Sequence, residues 1–275
     1  HQLEYLTEYD LASVYCDFQD IREYKQAVAI GRETGLKTFL ATPRIQKPSE
    51  IGLFHAIAKH DPEGVLVRNL SGLEYFREKC EIISDFSLNA TNQITVDVLL
   101  KMGSRQITPS YDLNRDQLMT LAHHCTPTDL QIVIHQHMPM FHMEHCVFCS
   151  VLSPGTDKTN CGRPCDYHQV ELRDRVGAEH PLTADVGCRN TLFNAQAQSG
   201  AEIVAELVDI GVLDFRVELL REETPEQVAN ILKQYQGLLA GTTSGTQVWR
   251  TLQAMNRVGV TRGTLEYERD PLAIL

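Results

Sequence analysis

From residue 13 to about residue 135 the chain alternates short β-rich runs with amphipathic helical stretches. The run 13–18 reads as a strand, and 21–34 as a helix with Tyr24, Val28 and Ile30 on its apolar side. Residues 37–41 predict a second strand, followed by a helix capped near Ser49 that carries Ile51, Phe54, Ile57 and Ala58. Strands over 64–67, 81–88, 106–110 and 130–135 continue the series, with helices over 70–79, 95–102 and 117–124 between them. Strand–helix alternation at this spacing means parallel strands with covering helices.

After His135 the rhythm breaks. Residues 138–167 show no sustained period, and 168–186 read as a β-hairpin. Order resumes with a helix over 201–210, a strand over 214–219 and a helix that starts at Thr224-Pro225-Glu226 and runs towards Leu239. A Gly/Thr-rich loop, a helix near 248–255 and an irregular tail follow. About seven β/α units suit an α/β fold of the TIM-like (β/α) barrel kind, whole, incomplete or distorted. An open doubly wound sheet would bring a Gly-rich phosphate turn after its first strand, and Cys16-Asp17-Phe18-Gln19-Asp20 is not one. The expected organisation is a barrel domain over 1–240, with a Cys-rich insertion and hairpin at about 138–190, then a C-terminal helix and tail over 241–275.

Composition narrows the function classes. The formal net charge of -11 disfavours a broad basic face for nucleic acid; a local patch such as Arg173, Arg175 and Arg189 could serve if it faced the barrel mouth, but these three read first as a solvated hairpin face. No apolar run approaches the roughly 18 residues of a membrane span. No export leader is visible, and the expected location is cytoplasmic. Of the 8 cysteines, Cys16, Cys80 and Cys125 are scattered in strand or helix patterns and read as buried thiols. The other five, Cys146, Cys149, Cys161, Cys165 and Cys188, crowd one stretch. Two close-spaced pairs across a polar loop can bring four thiolates to one centre, which suits zinc or an iron–sulfur cluster alike. Six histidines share the region. His135 and His137 alternate on a strand end; His137, His142 and His145 otherwise read as solvated loop residues, with His145 a candidate neighbour of the metal ligands.

The stretch from His135 to Cys165 resembles the collagenase-like peptidases of family U32. Val133-Ile134-His135 matches the family's strand end, Cys146 stands at the expected distance, and Cys161 with Cys165 matches its Cys-x-x-x-Cys pair. Asp85-Phe86-Ser87-Leu88 with Thr91-Asn92, the run 107–113 with Ser110 and Asp112, and Phe215-Arg216-Val217-Glu218 match further segments. Gln136 stands where the family has Gly, Pro139 where a first Cys is common, and Cys149 where Ser is usual. The resemblance implies a four-iron (4Fe-4S) cluster held by four of the five grouped cysteines, the choice between Cys149 and Cys188 staying open. It also implies oxygen-independent hydroxylation, or related redox chemistry, on an RNA base or a quinone precursor, and it makes a homo- or hetero-oligomeric partner plausible. Asp85, Asn92, His135, Arg216 and Glu218 fall at predicted strand ends and would line the pocket as polar and acid–base groups, an ion pair inside the barrel being the alternative for Arg216 and Glu218. The alternatives are a peptidase acting on collagen-like or unfolded chains, and a binding module whose loop is stapled by zinc. No Ser-His-Asp order and no His-Glu-x-x-His stands out to favour the peptidase.

Overall fold

The computed structural model describes residues 2–266 except 221, 256 and 257. A short helix α1 (Gln2–Leu6) precedes a regular β/α series. The strands are β1 (Val14–Cys16), β2 (Thr38–Ala41), β3 (Gly64–Val67), β4 (Glu81–Ser84) and β5 (Gln106–Ile107). Between and after them lie α2 (Glu23–Thr34), α3 (Ile51–Ala58), α4 (Leu70–Phe76), α5 (Gln93–Lys101) and α6 (Arg115–His124). The five strands pair in parallel in chain order. Strands β2 and β3 are buried along their whole length, as expected where both faces are covered. Alternation divides their side chains. Leu40, Val65, Val67 and Ile82 belong to the main core with Phe54, Leu73 and Phe76 from the helices. Phe39, Ala41, Leu66 and Ile83 form a separate apolar layer on the opposite face, with Tyr15 against it.

The second sheet is mixed. Strand β6 (Gln131–Met143) pairs in parallel with β10 (Asp214–Val217) near its start and antiparallel with β9 (Asn190–Ser199) beyond His135. The hairpin β7 (Val170–Arg173) and β8 (Glu179–Ala184) completes it through the start of β9, and β11 (Val260–Thr261) pairs with the end of β9 on the edge opposite β6. Helices α7 (Val147–Leu152), α8 (Val204–Ile210), α9 (Pro225–Leu239) and α10 (Gly245–Met255) accompany this half. A parallel bridge between Ile107 and Leu130 joins the two sheets. The fold is therefore mixed α/β with a five-stranded parallel sheet. The closed barrel expected from the unit count goes beyond these ladders.

Several local expectations are corrected. The strand expected to stop at His135 runs on to Met143, because long-range pairing with β9 supplies the ladder that local periodicity does not. Strand β9 itself has no counterpart in the sequence reading. The strand expected over 81–88 ends at Ser84, and Phe86–Leu88 form a 3-10 turn. The strand expected over 106–110 keeps only two residues. Ser49 is not the cap of α3: a 3-10 turn over Pro48–Glu50 leads in, with Glu50 Oε2 accepting from Lys47 N at 3.0 Å. The expected start of α9 is confirmed, Thr224 and Gln227 forming a reciprocal capping box. Part of the expected tail, 267–275, lies outside the described residues.

Gly64 illustrates how tightly the inner layer is packed. A Cβ there would stand 2.1 Å from the Phe39 ring and 2.9 Å from the carbonyl of Glu81. Gly52 in α3 meets nothing within 4 Å. Gly64→Ala should therefore destabilise the protein by about 1–3 kcal/mol through overpacking. Gly52→Ala should be neutral or add up to about 1 kcal/mol of helix stability. Urea melts of both variants measure the contrast; equal stabilities would contradict it.

Candidate active site at the strand ends, with a thiol cluster beside it

The side chains that follow the parallel strands converge on one guanidinium. Arg216, 5% exposed, leaves β10 on the same face as the inner layer, its charge 5.3 Å from the Tyr15 ring centroid. Its Nη2 donates to Asp85 Oδ1 at 2.7 Å, to Glu218 Oε1 at 2.8 Å and to the Tyr111 hydroxyl at 3.1 Å. Its Nη1 donates to Gln131 Oε1 and Thr108 Oγ1, and Nε to Glu218 Oε1. Asp85, 1% exposed, is shared: its Oδ2 accepts from Arg68 Nε at 2.9 Å, and Arg68 in turn reaches Asp17 at 2.7 Å. Burial alone would raise the Asp85 pKa, but the guanidinia of Arg216 and Arg68 outweigh it and hold the carboxyl below its ordinary range. The Tyr111 hydroxyl donates to Glu218 Oε1 at 2.8 Å, and its ring stacks on Phe86 at 4.0 Å.

Three of the five strand-end residues named from the sequence thus meet: Asp85, Arg216 and Glu218. The ion pair considered for Arg216 and Glu218 is present. The other two lie elsewhere. Asn92 is exposed and caps α5, its Oδ1 accepting from Thr95 N at 3.0 Å. His135 is buried against α9, where its Nδ1 meets the Tyr235 hydroxyl at 3.1 Å. That hydroxyl gives its one proton to the carbonyl of Ile134 at 3.0 Å, so Ser199 Oγ and His135 Nδ1 must both donate to it. His135 is then the neutral Nδ1–H tautomer, consistent with burial, helped by His137, lowering its pKa to about 3. Sequence reasoning missed Arg68, Asp17, Thr108, Gln131 and Tyr111. Arg68 directly follows β3, so a charged residue just past a buried parallel strand was the available signal.

The Cys-rich part builds its own small core of Phe148, Leu182, Ala184 and Leu192, with Met143, Cys146, Val147, Cys165 and Val170 packed on it. It is tied to the loops that follow β1 and β2. Gln19 donates to the carbonyl of Cys165 at 3.0 Å, Arg163 pairs with Asp20 at 2.9 Å, and Lys47 with Glu144 at 2.5 Å. Arg189, 1% exposed, lies between Glu50 and Glu144, each at 2.7 Å. Arg189 therefore does not belong to a solvated hairpin face or a basic patch, since its charge is spent inside the protein.

All five grouped thiols are free; Cys149 and Cys188 each feel Cys146 and Cys161, and Cys165 feels Cys146 and Cys188. Cys149 is buried and in hydrogen-bonding contact with Cys161, and its Sγ also lies 3.5 Å from the carbonyl of Gly155. Burial, then Asp166, Cys146 and Cys188, push the Cys165 thiol up to about 11. Burial and Cys146 likewise raise Cys188. Cys146 Sγ accepts from Cys149 N at 3.4 Å, and Cys161 Sγ from Arg163 N at 3.4 Å. Cys188 has a φ of +62°, in the left-handed region that favours glycine. Among the described residues, no three His, Cys, Asp or Glu side chains are already set as ligands around one point. The donor chemistry nevertheless fits a thiolate-bound metal or cluster: thiols that raise one another's pKa gain when a cation replaces their protons. Of the loop histidines, His142 is corrected: it lies on β6 with its side chain 7% exposed, Nδ1 paired with Thr191 Oγ1 at 2.9 Å. His145 is exposed and bonds Ser150.

The His135 environment sets a pH dependence. The unfolded chain takes up a proton near the ordinary histidine value of about 6.5, while the folded protein resists until about 3. Its contribution is complete above the upper value and drains away as the pH falls towards the lower one, by at most about 1.4 kcal/mol per pH unit. Urea unfolding of the wild type should therefore lose more stability between pH 6 and pH 4 than His135→Gln, which does not titrate. Parallel pH profiles would refute this.

No curated protein matches the chain. Among solved structures, that of the U32 peptidase Mk0906 aligns with 48% of this chain and 59% of its own at 12% identity, with a TM-score of 0.36, a likeness too slight to argue from. The chain thus spans less than two thirds of that protein. Among the described residues no helix is long and apolar enough to cross a membrane. The model of peptidase family U32 matches residues 7–264, almost the whole sequence and all the segments described above, and the chain belongs to that family.

Proposed function

We propose that this chain is an iron–sulfur enzyme of the U32 family that supports oxygen-independent hydroxylation, or related redox chemistry, of an RNA base or a quinone-like substrate. The observation that carries the reading is the gathering of five thiols from α7 and its N-cap, two turns and the β8–β9 loop beside one small apolar core, on which Cys146 and Cys165 pack. Cys146, Cys161, Cys165 and Cys188 are the proposed ligands. Cys188 is preferred to Cys149 because its backbone takes a conformation unfavourable to cysteine, and strain of this kind is retained where a side chain is needed in place. Cys149, by contrast, is buried near the Gly155 carbonyl.

A four-iron cluster bound there supplies one-electron redox chemistry. The chain's own residues do the rest. Backbone N–H groups of Cys149 and Arg163 donate to Cys146 Sγ and Cys161 Sγ and hold these sulfurs in place. The Asp85–Arg216–Glu218 cluster presents fixed charges and the Tyr111 hydroxyl at the strand ends, where a substrate can be oriented and a proton held. Zinc bound by the same thiols is the competing reading, and it would fit a peptidase or a stapled binding module.

Anaerobic purification or reconstitution should give a brown protein with about four iron and four sulfide per chain. Ala substitution of Cys161, Cys165 or Cys188 should abolish the chromophore, while Cys149→Ala and Cys16→Ala should keep it. A colourless protein with stoichiometric zinc would overturn the reading, and retention of the cluster by Cys188→Ala would overturn the ligand choice. Gelatin cleavage above that of a Cys161→Ala control would favour the peptidase instead.

A further inference from the structure

The strand ends hold one guanidinium that the ion-pair cluster does not use. Arg44 follows β2 through Thr42 and Pro43, and its backbone is pinned: Asn69 Nδ2 donates to the carbonyls of Pro43 at 2.8 Å and Arg44 at 3.5 Å. Its guanidinium lies 5.2 Å from the Phe86 ring centroid, and Phe86 is itself stacked on Tyr111. The head group is therefore half-buried and held in place. Arg68, Arg189 and Arg216 each satisfy two carboxylates, whereas the Arg44 guanidinium has no hydrogen bond or ion pair among the described residues. A guanidinium offers five donors, and leaving them unmatched in a part-buried setting is costly unless a ligand fills the gap.

The neighbouring groups define what that ligand must be. Two carboxylates face Arg44, but Asp85 is spoken for by Arg68 and Arg216, and Asp112 is exposed and contacts Ser110 at 3.5 Å. From the other half of the molecule comes His142, close enough for Arg44 to be the foremost charge acting on it. His142 Nε2 is buried without a hydrogen-bond partner. Asp185 Oδ2, 4.0 Å from it, and Arg189 Nη1 are likewise buried and unpartnered. The Arg44 guanidinium and Arg189 Nη1 can only donate, whereas Asp185 Oδ2 is the one unpartnered carboxylate oxygen among these groups, so donors are in excess. Arg44, Arg68 and Phe86 follow successive parallel strands at their C-terminal ends, where ligands of parallel α/β sheets bind.

We propose that Arg44 is a substrate-anchoring residue that holds a planar or tetrahedral oxyanion, a carboxylate or a phosphate, at the strand ends, with His142 Nε2 as the second polar contact. The assignment rests on the strand ends being the reaction site, but not on which metal the thiols bind. It makes the substrate, or a co-substrate, an acid. Fork-shaped donors match such a group in a way that a lysine does not.

Thermal unfolding of the anaerobically prepared protein in sodium malonate, in inorganic phosphate and in sodium chloride of equal ionic strength tests this. Malonate or phosphate should raise the midpoint saturably above chloride, as a ligand that binds only the folded state must. A response to malonate alone identifies a carboxylate, and a response to phosphate alone a phosphate ester. Arg44→Gln should weaken the apparent affinity at least tenfold, and Arg44→Lys should restore it only in part. Both variants should keep the iron content and visible spectrum of the wild type, which separates this assignment from the cluster assignment. Midpoints that follow ionic strength alone, or an Arg44→Gln variant that responds like the wild type, would overturn it.

Discussion

A guanidinium buried at the end of an apolar sheet constrains everything around it. Arg216 cannot shed its charge, and water is excluded from most of its surface, so each N–H needs a protein acceptor. Those acceptors come from the ends of different strands: Asp85 after β4, Thr108 after β5, Gln131 at the start of β6 and Glu218 after β10. Meeting that demand fixes the relative height of strands in the two sheets, which are otherwise joined by a bridge at Ile107 and Leu130. Breaking such a buried pair by removing one partner typically costs about 3–5 kcal/mol. On the proposed reading, orientation of a substrate and registration of the sheets draw on the same bonds.

The Cys-rich half obeys a different constraint. Its apolar core has only Phe148, Leu182, Ala184 and Leu192 fully inside, too little to order the loop that bears the cysteines. Ion pairs from Arg163, Lys47 and Arg189 hold this half to the loops after β1 and β2. Thiols crowded in such a setting oppose one another's ionisation, so ligation by a metal would at once relieve repulsion and supply folding free energy. The proposed cofactor site differs in this from Cys16, which is 5% exposed, with its thiol pushed up to about 12 by burial and the nearby Asp17.

The two halves share a boundary lined with unmatched polar atoms. His142, Asp185 and Arg189 on the Cys-rich side each bury an atom without a partner, and Arg44 of the parallel-sheet half acts on His142. Arg216, by contrast, makes six hydrogen bonds to five residues. Three unpartnered polar atoms gathered at one boundary are the pattern of a surface shaped to receive polar groups from outside.

Local pattern was enough for the β/α series up to residue 135, for the capping box at Thr224, for the hairpin and for the grouping of five cysteines, because periodicity, capping and ligand spacing are written within a few residues of one another. Asp85, Arg216 and Glu218 were legible as polar residues at predicted strand ends, in segments that resemble the family. Strand β9 and the extension of β6 to Met143 were not, since each is a strand only because the other pairs with it across more than 45 residues. The same holds for His135, whose place at a strand end suggested a pocket but whose ring is claimed by Tyr235, 100 residues on. Nor could the chain alone reveal that Arg189 is spent on Glu50 and Glu144 while Arg44 is left free. Which charge finds a partner depends on distances between strand ends, and only the tertiary structure sets those.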